Sequence, residues 1–108
     1  MKTKTQRPPG NLSNESKGIW KKLNSEWEFD TQALLILKTA LEAYDRLTEA
    51  RQQIDTEGIT YTTGTGFKRE HPSLKVEKQS RDGFLAAWRM LNLNIEPPGD
   101  IGRPVEFK

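Results

Sequence analysis

The chain contains no cysteine and a single histidine, His71. The first absence excludes a disulfide framework, a thiolate metal site and a thiol nucleophile. The second leaves no zinc site that does not recruit carboxylates. No apolar run approaches the roughly 18–20 residues of a membrane span, and the N-terminus lacks the apolar centre of a signal peptide. A soluble intracellular protein is the expectation. Apolar residues are scarce as well: they make up 33% of the 108 residues, against 30% charged. That length is typical of one domain, and a chain of this size buries roughly 60–70% of the surface it exposes when unfolded. The core of a lone copy is therefore expected to be modest, and association with further copies would bury more.

What is present is unevenly distributed charge. The net charge is only +2, yet residues 1–28 hold six cations against three carboxylates, residues 30–57 three against six, and residues 67–82 five against three. Basic ends around an acidic middle suit nucleic-acid contact at the ends. Ordinary solubilising charge is the bland alternative for any one lysine.

Residues 1–12 carry Pro8-Pro9-Gly10 and little that is apolar, so they read as a flexible basic arm. Ser13 is placed to cap a first helix over about 14–26, with Ile19, Trp20, Leu23 and Trp27 as its apolar stripe. Asp30 is placed to cap a second helix from Thr31 to about Thr56, stopped by Gly58. This helix carries two apolar seams, Leu34–Leu37–Leu41–Tyr44 and Ala33–Ile36–Ala40–Ala43–Leu47–Ala50–Ile54. One seam suffices for the domain's own core, which leaves the other for a partner. Lys38–Glu42–Arg46 and Arg51–Asp55 have the spacing of ion pairs along its surface.

Pro72 suits the first turn of a third helix over about 72–93. Its stripe is Leu74, Phe84, Trp88 and Leu91, with Glu77–Arg81 as an i,i+4 pair. A smaller-sided seam runs Val76, Ser80, Gly83, Ala87. Gly83 inside a helix costs about 1 kcal/mol relative to alanine, tolerable where a neighbouring backbone comes close. Residues 94–108 hold three prolines and two glycines and read as an irregular tail, with Ile95, Ile101 and Phe107 available to lie against the body. The fold expected is all-α: a short helix, then a long antiparallel helical hairpin with a short β-like turn and irregular termini.

That turn, ITYTTGTGFKREHP over residues 59–72, joins Gly64 and Gly66 to Lys68-Arg69. A Walker-type loop needs Lys-Ser or Lys-Thr after its last glycine, and Phe67 stands there instead. A dinucleotide fingerprint needs a third glycine after a buried strand, and both are missing. The alternation of β-branched and aromatic residues points to a small β-turn between helices. A phosphate held by Lys68, Arg69 and His71 at the third helix's N-terminus stays open. Asp30, Asp45 and Asp55 read as a cap and a solvated face, the threonines of the turn have no neighbouring base, and the three tryptophans fall on core stripes. No catalytic constellation, cofactor site or metal site assembles.

Taken in order, the stretches LSNESKGIWKKL, FDTQALLILKTALEAYDRLTEARQQIDTEG, ITYTTGTGFKREHPSLKVEKQSRD and FLAAWRMLNL, spanning residues 12–93, resemble the small subunit of tailed-phage DNA-packaging terminases, of the cohesive-end type. The segment LNIEPPGDIGRP departs from the family's continuation. The resemblance implies a non-catalytic protein of the host-cell cytoplasm, without cofactor, that assembles as a homo-oligomer of more than four subunits. It implies double-stranded viral DNA and the terminase large subunit, which carries the ATPase and nuclease, as partners. Residues 13–93 would then form the DNA-binding and oligomerisation domain. The candidate DNA contacts are Lys2, Lys4, Arg7, Lys17, Lys21, Lys22, Lys68, Arg69 and Lys75. The candidate oligomerisation residues are Ala33, Ile36, Leu37, Ala40, Leu41, Ala43, Tyr44 and Leu47. Two rivals stand beside this reading: a small dimeric helical DNA-binding regulator, and a phosphate-using enzyme centred on Gly64–Arg69.

Overall fold

A computed structural model describes residues 7–93; Lys2, Lys4 and the tail with Ile95, Ile101 and Phe107 lie outside them. Three helices and one small hairpin follow in order: α1 (Asn14–Glu26), α2 (Thr31–Glu57), β1 (Thr60–Thr62), β2 (Lys68–Glu70) and α3 (Pro72–Leu91). Each helix begins where its cap stands. Ser13 Oγ accepts from the Ser16 N–H, and Asp30 Oδ1 accepts from the Ala33 N–H. His71 Nδ1 accepts from the Ser73 N–H at 3.1 Å, with Pro72 in the first turn. Gly58 ends α2 at φ 86°, ψ 171°, a region open essentially to glycine alone.

α2, at 27 residues, is about 40 Å long and runs antiparallel to α3, with α1 packed along its first half. Leu37, Ala40, Leu41 and Phe84 are fully buried, and Leu47, Trp20, Leu23, Trp88 and Ala87 close around them. Phe84 stacks on Trp88 at 5.4 Å and meets Tyr44 at 5.7 Å. Leu12 is only 5% exposed, so the packed body begins one residue before the cap, inside what the sequence assigns to the arm.

The two seams of α2 divide differently from the expectation. Leu37, Ala40, Leu41, Tyr44 and Leu47, all candidate oligomerisation residues, are spent in the chain's own core, as are Ala50 and Ile54. Both seams are needed because α1 and α3 cover the helix from two directions. Ala33, Ile36 and Ala43 are left half-buried. Gly83 makes no close approach inside the chain either: a Cβ built on it meets nothing within 4 Å.

Polar contacts do much of the joining. Asp45, expected on a solvated face, instead accepts from the Ser13 N–H at 2.9 Å, the Ser13 hydroxyl at 2.6 Å and the Ser16 hydroxyl at 2.5 Å. A carboxylate is thus held at the positive end of the α1 dipole. Arg51 pairs with Glu77 across the helices at 3.3 Å rather than with Asp55, while Glu77 also takes Arg81 at 2.7 Å as expected. Farther along the same seam the Ser73 hydroxyl donates to Gln53, and His71 Nε2 meets Glu57 at 3.1 Å.

Candidate nucleic-acid interface

The glycine-rich stretch is the tip of a β-hairpin. Thr60, Tyr61 and Thr62 pair antiparallel with Glu70, Arg69 and Lys68, and the register continues at both ends. The Thr63 N–H donates to the Phe67 carbonyl at 2.8 Å, and the His71 N–H to the Ile59 carbonyl at 2.7 Å. Within the loop the Gly66 N–H donates back to the Thr63 carbonyl at 2.9 Å, and Gly66 itself takes φ 87°. A turn closed by a left-handed residue in this way is the common three-residue hairpin connection. The Thr63 hydroxyl accepts from the Phe67 N–H and meets the Thr65 hydroxyl at 3.0 Å, fixing the loop from inside.

Pleating sorts the side chains by face. Tyr61, Thr63, Phe67 and Arg69 share one side, and Thr60, Thr62, Lys68 and Glu70 the other. All six strand residues are exposed, and Tyr61 and Phe67 are 44% and 64% exposed, large aromatic surface set beside a guanidinium. At the base, His71 is a structural part. Its Nδ1 is occupied as the acceptor of the α3 cap, so its proton sits on Nε2 and is directed to Glu57 Oε1. Its ring meets Tyr61 edge-on at 6.4 Å. Because Pro72 has no N–H and the Ser73 N–H is already used, the α3 N-terminus offers little to the phosphate that the sequence left open.

The second basic surface is on α1. Lys21 and Lys22 are exposed and Lys17 is half-buried, with Lys17 and Lys21 one turn apart on one face. Lys75 is exposed one turn into α3, and Arg7 is exposed ahead of the body. The structure does not bring the two clusters together. α1 begins beside Asp45, and the hairpin leaves α2 after Glu57, so about 18 Å of helix separates those points. Among the described residues none of Lys17, Lys21, Lys22, Lys68, Arg69 and Lys75 forms an ion pair, whereas Arg51, Lys78 and Arg81 pair with carboxylates. Tyr61 and Phe67 are the residues that sequence reasoning missed. Their alternation signalled a hairpin, but their exposure depends on the hairpin standing clear of the helices.

Among the described residues no group of histidines and carboxylates is placed to hold a metal ion, and no helix is long and apolar enough to cross a membrane. Three helices with a long helical hairpin, a small two-stranded sheet, polar latches and basic patches on the surface describe a small, mostly helical body. The model of the phage terminase small subunit family matches residues 14–99, and the chain belongs to that family. Comparison with curated proteins and with solved structures returned no match. Membership places the protein in phage DNA packaging, in the subunit that is generally the non-catalytic one.

Proposed function

We propose that this chain is the ring-forming, DNA-recognising subunit of a phage terminase. It binds the packaging site on viral DNA in the host cytoplasm and brings the large ATPase–nuclease subunit to it. The observation that carries the reading is the family match over residues 14–99. The unneutralised cations of α1 and of the hairpin are consistent with it.

Assembly into more than four copies draws on only part of the α2 seams, since Leu37, Ala40, Leu41, Tyr44 and Leu47 are buried in the chain's own core while Ala33, Ile36 and Ala43 are half-buried. One surface open to a neighbour is a groove between α2 and α3 of about 330 Å³, where Ala43, Val76, Ser80 and Gly83 line it together with polar residues such as Glu42 and Arg46. The half-buried Ala33 and Ile36 lie on α2 as well. Ala43→Glu and Gly83→Glu therefore test the interface. Ala40→Glu would only disrupt the core, because Ala40 is fully buried.

Native mass spectrometry of the purified protein tests the assembly. A ring of more than four copies, reduced in size by Ala43→Glu with helix content unchanged, is the expected result; a dimer would favour a small regulator instead. DNA binding is tested by fluorescence anisotropy across a salt series. Neutralising Z phosphates makes log K fall against log salt with slope about −0.9Z. Lys17→Ala/Lys21→Ala is expected to weaken binding to a packaging-site duplex and to flatten that slope without changing the mass. An unchanged slope would move the main phosphate contacts to Lys68, Arg69 and Lys75.

A further inference from the structure

An isolated two-stranded sheet is marginal in water, yet this hairpin leaves both faces uncovered and is organised in detail. Its turn is closed by Gly66 and the Thr63 hydroxyl, and its base by His71 on Ile59 and Glu57. Such prior organisation lowers the entropy cost of engaging a partner. No strand carboxylate shares the face of Tyr61, Phe67 and Arg69: Glu70 is on the opposite side, and the Glu57 carboxylate at the base beside Tyr61 is engaged by His71. Two strands lie about 4.8 Å apart, and a ribbon of that kind is a width the roughly 12 Å major groove admits.

We propose that the β1–β2 hairpin enters a groove of duplex DNA as a ribbon, with Arg69 and the rings of Tyr61 and Phe67 against base edges, and so supplies sequence preference. This rests on the reading that the chain binds DNA, and it separates two roles within that reading. The α1 lysines hold phosphates of any sequence. The hairpin discriminates. Arg69 has the donor fork that matches the two acceptors of a guanine edge, and an aromatic ring suits the thymine methyl. Charge selects DNA over a second copy of the hairpin, whose same face would set its own Arg69 against Arg69.

The test begins with selection from a random 40-base-pair duplex pool by the full chain. Anisotropy then compares the selected duplex with a scrambled control. Phe67→Ser, Tyr61→Ser and Arg69→Gln are all at exposed positions, so circular dichroism and native mass are expected to stay unchanged. Each variant is expected to lose about tenfold affinity for the selected duplex and less than twofold for the scrambled one. Lys17→Ala/Lys21→Ala is expected to lower both alike. Equal losses on both duplexes would reduce the hairpin to phosphate contact and overturn the proposal. No loss on either duplex would overturn it too, as would a change in native mass, which would give the hairpin to a neighbouring copy. If the unaltered chain binds duplex DNA without selecting a sequence, this proposal fails and DNA binding stands. If it binds no duplex, both fail.

Discussion

The phenol of Tyr44 donates to both carboxylate oxygens of Glu15, at 2.8 and 3.0 Å, joining the middle of α2 to the first turn of α1. Burial first, and then this carboxylate partner, push the Tyr44 hydroxyl up to about 12. In the unfolded chain it ionises near 10. Between those values the folded state retains a proton that the unfolded state has released, so the stabilisation is complete below about pH 10 and is lost as pH rises towards 12. Its full size is on the order of 2–3 kcal/mol. Urea midpoints at pH 9, 10 and 11 should fall more steeply for the wild type than for Tyr44→Phe. Parallel curves would sink the assignment.

Glu77 is 3% exposed and is shared by Arg51 and Arg81. Removing its carboxylate leaves Arg81 partly buried without its counter-ion and takes one carboxylate from Arg51. Glu77→Ala is expected to cost about 3 kcal/mol, read as a lowered urea midpoint. Changing one partner of the exposed Lys78–Asp82 pair is expected to cost under about 1 kcal/mol.

Asp45 accepts three hydrogen bonds from Ser13 and Ser16, and Ser16 is fully buried. Asp45→Ala orphans those donors, at about 1–3 kcal/mol for the buried one alone. Because the loss falls at the start of α1, amide exchange should accelerate there more than in α3. Uniform acceleration across all three helices would argue against a local latch.

At the hairpin base, His71→Asn keeps an acceptor for the Ser73 N–H, whereas His71→Ala removes it at a cost of about 1 kcal/mol. Gly58→Ala forces a Cβ onto φ 86°, ψ 171°, worth about 1–3 kcal/mol of strain. Thermal melts of the three variants should therefore rank Asn above both alanine changes.

The parts legible in the sequence are those whose physics is local. Ser13, Asp30, Gly58 and Pro72 mark helix ends because a cap acts within a few residues of itself. Glu77 and Arg81 meet because they stand one turn apart. The partners of Asp45 and Arg51 are not legible in the sequence because Ser13, Ser16 and Glu77 arrive from other elements. Ala40 and Ala43 share a seam on paper, yet one is fully buried and the other borders an open groove; only the docking of α3 decides which. At the candidate interface, adjacent Lys68 and Arg69 were visible as a basic pair. Their assignment to opposite faces needed the register with Thr62 and Tyr61.

The seam between α2 and α3 has a mechanical consequence. Arg51–Glu77, Gln53–Ser73 and Glu57–His71 succeed one another toward the hairpin. Leucine side chains can slide past one another with modest loss, but hydrogen bonds tolerate little displacement. A slip by one helical turn, 5.4 Å, would break all three contacts together and carry the buried Glu77 carboxylate away from Arg51. The ladder works as a ratchet pawl set in one notch: it blocks shear between the two helices.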